Sequence, residues 1–553
     1  MKFKIVDTKF LLLAAVFLLA LLLRFYKLST NPPGLYWDEA VFGYDAYSLL
    51  KTAHDHHGNF LPLFFESFSD WKMPVYHYLL IPSIAIFKLG EFAVRFPSAL
   101  FGTLTVIVFF LIVKKFTQNI NLALFSSFFL AISPWHIQFS RGGFESTVGL
   151  FAAALGTYLA PLAIERKNIL LMSLSGIIFV LSMYSYHAYR IFVPLFILAL
   201  GFTIRSQLTK IIPKVLIAAA VPLLLLVPLV RFSTSAEGKA RAISQSAFNK
   251  EDFQKARLDF DQKSKKPFRF MSKYLYKEPI YYSYIAARGY ISHFSPVFLF
   301  FKGDQIGRHS QVDMGQIYLF ESVLIVIALT KFKFTTGNKI ILAWLLLSPI
   351  PAAIVGPTPH AYRTLQMAIP LAYLSALGAN QIIRAKNLLL FKIFLAAFAL
   401  YWIISYLHLL FIHYPIKFSA DWQDGYKQMV EKIKKHQDSF EKVYITNINQ
   451  VPNIYLLFYQ KYDPARFIQL GGTRDQFDKY IFVSRDVNIY DKEASDNASL
   501  RSSSSKDSTA GLKGRVLYVA PSWEKVDGKW LDAVDDSTGK HIYSLWEVGG
   551  GGQ

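Results

Sequence analysis

Eleven stretches of apolar residues, each near the length of a lipid bilayer, recur along this chain and leave it little choice of solvent. They run from Phe10 to Leu23, Pro97 to Val113, Ile120 to Phe139, Val148 to Ile164, Ile169 to Tyr186, Ile191 to Ile204, Ile211 to Val230, Ile317 to Thr330, Ile340 to Val355, Leu365 to Ala379 and Leu388 to Phe411. A helix rises about 1.5 Å per residue, so crossing a hydrocarbon core of about 30 Å takes roughly 20 residues. Several stretches are shorter and need interfacial or snorkelling residues at their ends. With 53% hydrophobic residues over 553 positions, the chain reads as an α-helical polytopic membrane protein. Lys2, Lys4 and Lys9 precede the first stretch and no small-residue cleavage site follows it, so it reads as an anchored helix. No internal repeat is evident.

The segment Pro74 to Gly90 is also apolar, and charge bias decides how to treat it. If it lies along the membrane surface, Lys114-Lys115, Arg166-Lys167, Arg205 with Lys210, Lys331 with Lys333 and Lys339, and Arg384 with Lys386 all share a side with the N-terminal lysines. That satisfies the positive-inside rule, whereas a twelfth span would put most of these clusters outside. Pro82 and Lys88 also argue against deep burial. The expected topology is therefore eleven spans with a juxtamembrane helix.

The outer face then collects residues 29–96, the turn 140–147, the long loop 231–316 and the turn 356–363. The long loop carries 15 Lys and Arg against 8 Asp and Glu, but loops of that length are largely exempt from the charge rule. After Phe411 the spans stop, dividing the chain into a transmembrane domain, 1–411, and an extracytoplasmic domain, 412–553. In the latter, Trp422 to His436 has helical periodicity, and Lys442 to Thr446, Arg515 to Val519 and Ile542 to Trp546 read as strands, giving a small α/β domain. Lys492 to Lys513 is rich in Ser and Asp and reads as a mobile loop, and Gly549 to Gln553 as a tail.

The formal charge of +21 is spread over inter-helix loops with no recognition module, so nucleic acid is not the expected partner. Anionic lipids and phosphate-bearing substrates fit better. The absence of cysteine excludes disulfides, thiolate metal sites and cysteine nucleophiles.

The polar residues that carry chemistry fall on the expected outer face. Asp38 and Glu39 follow a rigid Pro32-Pro33 lead-in and two aromatics, and precede a helical segment, Ala40 to Leu50. An acid at a helix start also serves as a simple cap. Here a dense polar loop follows, with Asp45, Tyr47, His54, Asp55, Gly58, Asn59, Asp70 and Lys72. Five cations map to the outer side: Lys72, Arg141, Arg190, Arg308 and Arg363. Arginine offers a fork that grips phosphate oxygens, although any single one is also explained by snorkelling at the interface. Arg190, beside His187 and Tyr189, and Arg363, beside His360, are the preferred pair. Glu145 is a second acidic candidate for acceptor or metal binding, or only a helix N-terminal acid. Arg308-His309-Ser310 suggests substrate contact or a plain turn. His54-Asp55-His56-His57 offers transition-metal ligands, but four consecutive residues cannot all converge on one ion. A divalent cation is a candidate cofactor and no metal ligand is assigned.

Taken together, Arg24, Trp37-Asp38-Glu39-Ala40, Asp55-x-x-Gly58, Lys72-x-Pro74-x-Tyr76 and Glu91-x-x-x-Arg95-x-Pro97-Ser98 resemble the GT-C membrane glycosyltransferases. Within them the chain is most similar to the branch of protein O-mannosyltransferases and lipid A aminoarabinose transferases, closely over about the first 190 residues and loosely beyond. The resemblance implies transfer of a sugar from a polyprenyl-phosphate carrier to a glycan, lipid or protein acceptor at the outer face of the inner membrane. It also implies that Asp38 is the catalytic base, with Glu39 beside it, framed by the two surface helices of the first outer loop. The chemistry agrees: an attacking hydroxyl must lose its proton, which a carboxylate can accept, and a departing phosphate needs charge stabilisation. Asp38 and the outer cations are accordingly expected to share a pocket, and a single displacement would invert the anomeric centre. The alternatives are a transporter or flippase of lipid-linked saccharides and a non-catalytic envelope assembly protein. Transporters concentrate ionisable residues at the middle of spans, whereas here they cluster in loops.

Overall fold

The computed structural model describes residues 8–68, 70–263, 277–447, 451–484 and 515–549. It divides into two compact units, one of residues 1–26, 68–75 and 98–410, the other of 27–67, 76–97 and 411–553. Lys492 to Lys513 and residues 550–553 of the expected tail lie outside the described residues.

Each of the eleven apolar stretches contains helix, and the stretches Ile120 to Phe139 and Ile340 to Val355 are each broken into two. Among the described residues, however, five helices are long and apolar enough to cross a membrane: Thr8–Phe25, Glu91–Thr117, Glu145–Glu165, Arg205–Thr234 and Leu389–Lys417. A sixth span forms if Ile120–Ile132 and Pro134–Arg141, bent by 55°, are taken as one. Ile169–Met183 and Tyr189–Thr203 have 15 residues and Leu319–Thr330 has 12. Apolar composition runs through helix breaks, so its length overstates helix length. The stretch from Ile340 to Val355, for example, is split into Thr336–Leu347 and Ile350–Ala353 at Ser348-Pro349.

Lipid supplies no hydrophobic drive between helices, so packing in the first unit relies on small residues and short hydrogen bonds. A Cβ at Gly149 would sit 2.5 Å from the Tyr189 ring. Ser182 Oγ donates to the Gly149 carbonyl at 2.7 Å, Ser175 Oγ to that of Gly156 at 3.0 Å, and Tyr189 OH to that of Ser146 at 3.0 Å. A Cβ at Gly378 would fall 2.0 Å from the Leu324 carbonyl oxygen, and nearby Ser375 Oγ donates to the buried Glu321 at 2.7 Å.

The second unit joins residues 27–67 and 76–97 to the C-terminal residues. Helix Trp37–Thr52 extends the expected Ala40 to Leu50, and Pro74–Phe87 is a 14-residue helix where the juxtamembrane segment was expected. The six-stranded sheet runs in the order Gln476–Phe477, Tyr480–Ser484, Val443–Asn447, Val516–Pro521, His541–Val548, Lys529–Asp535. Val443–Asn447 is parallel to both of its neighbours and the other pairs are antiparallel. Helix Tyr426–His436 fills most of the expected Trp422 to His436, whereas helix Pro452–Tyr459 and strands Gln476–Phe477, Tyr480–Ser484 and Lys529–Asp535 were not anticipated. The C-terminal residues hold the start of helix Trp37–Thr52 directly. Trp37 N donates to Gln423 Oε1 at 2.9 Å, Tyr455 OH to the Leu35 carbonyl at 2.9 Å, and Tyr36 meets Trp422 edge-on at 5.6 Å.

Candidate functional site

In the second unit, Asp38 occupies the first turn of helix Trp37–Thr52 and is partly exposed. Glu39, grouped with it as catalytic from sequence, is in a different environment: it is fully buried. Its Oε1 accepts from Arg95 Nε at 3.0 Å, and its Oε2 from Arg95 Nη2 at 3.2 Å and from Tyr36 N at 3.3 Å. Arg95, also fully buried, donates through Nη1 to the carbonyls of Leu28 at 3.1 Å and Pro32 at 2.8 Å, and through Nη2 to that of Gly34. One guanidinium thus ties down the chain from residue 28 to residue 39, and Glu39 is a fixing group where Asp38 is the accessible acid. Tyr36 and Glu39 complete a reciprocal cap at this helix start.

Asp55, assigned to substrate from sequence, organises its own loop. Oδ1 accepts from His57 N at 3.0 Å and Asn59 N at 2.8 Å, and Oδ2 from Asn59 Nδ2 at 3.0 Å. Gly58 completes the turn at φ +85°, where a glycine is least strained. The four residues 54–57 do not converge: His54 Nδ1 lies 2.6 Å from the Thr52 carbonyl and His56 Nδ1 2.5 Å from Asp45 Oδ1.

In the first unit, cations gather around Tyr186-His187, between helices Ile169–Met183 and Tyr189–Thr203. His187 Nε2 donates to the Trp71 carbonyl at 3.0 Å. Burial, followed by the charge of Arg190 and then those of Lys72 and Arg363, pushes its imidazole well below the usual range. The buried Tyr186 phenol hydrogen-bonds Arg363 and interacts electrostatically with Glu145 and Lys72. Lys72, Arg190, Arg363 and Glu145 therefore act on one place. Arg190 reaches Met73 Sδ at 2.6 Å and lies over the Phe232 ring at 5.6 Å, and its buried Nε makes no hydrogen bond. Arg363 donates to the Gly356 carbonyl at 2.7 Å and to Gln245 Oε1 at 3.0 Å. Arg241, which sequence reading missed, donates to the Trp71 carbonyl at 2.8 Å and pairs with Asp70. Nothing in the sequence separates it from the other cations of the long loop.

The remaining candidates lie elsewhere. Arg141 is buried and donates to the carbonyls of Leu23 at 2.8 Å and Tyr26 at 2.8 Å, near the end of helix Thr8–Phe25. Those carbonyls engage its guanidinium away from the cations gathered on Tyr186-His187. Tyr189 is fully buried, its OH donating to the Ser146 carbonyl at 3.0 Å. Arg308 contributes its carbonyl to Gln138 Nε2 at 2.9 Å. His309 and His360 come together around an acid that sequence reading missed, with Nδ1 atoms 3.5 and 3.9 Å from Asp304 Oδ2. Ligand atoms of these three buried residues lie within 4.8 Å of one another, so they could hold a divalent ion. The Asp304 to His309 spacing, in an aromatic-rich loop, was the available signal.

The family profile of dolichyl-phosphate-mannose-protein mannosyltransferases matches residues 14–177. No curated protein sequence aligns significantly with the chain. Among solved structures, ArnT from Cupriavidus metallidurans, in the apo state and bound to undecaprenyl phosphate, matches over 97% of both chains with a TM-score of 0.51 at 10% identity. The Archaeoglobus fulgidus oligosaccharyltransferase matches 83% of this chain with a TM-score of 0.47 at 14% identity, and this chain spans 64% of its length. The S. cerevisiae Pmt1-Pmt2 complex matches 44% of this chain with a TM-score of 0.31 at 16% identity. The mannosyltransferase profile thus covers the N-terminal third of the chain, and the fold of ArnT nearly its whole length.

Proposed function

We propose that the protein transfers a sugar from a polyprenyl-phosphate carrier to an acceptor hydroxyl, with inversion and with Asp38 as the base. The observation that carries this reading is the gathering of Lys72, Arg190 and Arg363 on Tyr186-His187 in the first unit. Converging guanidinium and ammonium groups suit a phosphate, and they stabilise it most as it departs with full charge. Arg190, with a buried Nε making no hydrogen bond, is the strongest single donor. In the second unit, Glu39 is fully buried against Arg95, whereas Asp38 is partly exposed, which suits it better to accept a proton from a bound acceptor. The mannosyltransferase profile spans Asp38, Lys72 and Glu145.

An outer-face site in the inner membrane and the eleven-crossing topology belong to the same proposal, supported by the side shared by the short basic loops and by the helical state of each apolar stretch. A transporter reading gains nothing from the ionisable groups inside helices. Arg24 donates to the carbonyls of Ala20 and Ala131, and Glu321 accepts from Ser375, so both act within the packing. The test is incubation of the purified protein in lipid with radiolabelled polyprenyl-phosphate sugars and glycan, lipid and peptide acceptors. The wild type should transfer label, and Asp38→Asn should lose about 10²–10⁴-fold in kcat, the range for removing a positioned base. Undiminished transfer by Asp38→Asn excludes the assigned role.

A further inference from the structure

Two turns beyond Asp38, on the same helix, Asp45 is 1% exposed and takes no part in the chemistry proposed above. Its Oδ1 accepts twice from one residue, from the His56 backbone N–H at 3.1 Å and from His56 Nδ1 at 2.5 Å. Its Oδ2 makes no hydrogen bond and faces Nε2 of His77 at 3.8 Å. His77 lies on helix Pro74–Phe87, fully buried, stacked on Phe65 at 3.8 Å and met edge-on by Phe42 at 4.8 Å. The His57 ring lies tilted against that of His56 at 3.9 Å. His56 belongs to a small closed hairpin, in which Leu61 N donates to the Ala53 carbonyl at 3.1 Å and His54 bridges to Phe60.

An ionised carboxylate this deep needs a compensating charge. Around Asp45 the groups that face it are imidazoles, so that charge is a proton on histidine. The other titratable groups around the pair are Tyr44 on the same helix, Asp55 and His57 in the hairpin, Glu66 beyond it and Asp463 beside Tyr44. Burial opposes a charge on His56, but the charge and hydrogen bond of Asp45, with Asp55 and Glu66 behind it, hold its imidazole above the usual range. Burial likewise works against ionised Asp45, and His56 holds it below the usual carboxylate range.

We propose that Asp45 and His56, backed by His77, form a proton-operated latch that pins the hairpin 53–61 to helix Trp37–Thr52 and releases it when His56 loses its proton. The direction follows from linkage. A histidine raised in the folded state contributes stability that is complete below its unfolded value of about 6.5 and is lost as pH rises through the higher folded value. The depressed Asp45 contributes above its unfolded value of about 3.9 and fails only as pH falls through its lower folded value. The latch is therefore shut between the unfolded carboxylate and histidine values and opens as pH rises through the folded His56 value. It does not depend on the transferase reading, because its test measures the hairpin itself.

The test is amide hydrogen exchange of the full-length protein in lipid nanodiscs at about pH 6 and about pH 9, corrected for intrinsic exchange, followed over residues 53–61. In the wild type, the corrected opening constant should rise by about tenfold for each pH unit between the unfolded histidine value and the higher folded His56 value, and level off above it. His56→Gln and Asp45→Asn should both exchange fast and equally at the two pH values. Equal corrected exchange at both pH values in the wild type overturns the proposal. So does a pH dependence that survives in His56→Gln. Should neither variant fold, the wild-type comparison decides by itself.

Discussion

Replacement of Arg95 by methionine is the sharpest probe of how the Asp38 segment is held. The substitution keeps much of the side chain's bulk but removes the donors to Glu39 and to the carbonyls of Leu28, Pro32 and Gly34. Breaking a fully buried ion pair by deleting one partner costs about 3–5 kcal/mol, because the remaining charge is stranded. Each carbonyl that finds no water adds about 1–3 kcal/mol. The loss should therefore be at least about 4 kcal/mol. Glu39→Gln is milder: the amide oxygen still accepts and the three carbonyl contacts survive, so about 1–3 kcal/mol is expected. The double variant carries neither charge and should be more stable than Arg95→Met alone, by about 2 kcal/mol. A membrane protein of two units has no single unfolding free energy, so the assay is local. Amide exchange of helix Trp37–Thr52 in nanodiscs, over wild type, both single variants and the double variant, gives the opening energy of that helix. Additive single effects would refute the claim that Glu39 and Arg95 act as one buried unit.

Two other outcomes follow from the same geometry. Arg141→Gln should lower the thermal midpoint by an amount corresponding to about 1.5–3 kcal/mol, since charged donors leave the carbonyls of Leu23 and Tyr26. It should leave polyprenyl-phosphate binding intact, whereas Arg190→Ala weakens it; isothermal titration and a melting scan separate the two. Asp55→Ala should loosen residues 55–59 by about 1.5–3 kcal/mol, seen as faster exchange of the His57 and Asn59 amides, because both donate to its carboxylate.

The sequence was most legible where pattern is set by solvent. Each apolar stretch is mostly helical, and the segment Pro74 to Gly90 and the helix that begins beside Asp38 were placed to within a few residues. Span length was not, because breaks such as Ser348-Pro349 interrupt hydrogen bonding without interrupting hydrophobicity. In the C-terminal residues, short strands such as Gln476–Phe477 carry too little alternation to read. Among the candidate residues, Lys72, His187, Arg190 and Arg363 do gather, while Arg141, Tyr189 and Asp55 satisfy backbone groups. Arg190 and Arg141 look alike in sequence; only the carbonyls around Arg141 distinguish them. Asp304, Arg241 and Asp45 were passed over as sites because their partners lie far along the chain or on another element.

The sequence alone determined that this protein lives in a membrane, since hydrophobic stretches of near-bilayer length follow from composition and a 1.5 Å rise. It also determined that acids and cations are kept out of most helix interiors, because charge in lipid is costly wherever the chain folds. Tertiary structure decided which of those charges are available. A buried carboxylate or guanidinium must be satisfied by whatever stands beside it, and that neighbour is set by packing between distant segments rather than by local pattern. For that reason Glu39 became a tie to Arg95, while Asp38, its neighbour in sequence, stayed partly open to solvent.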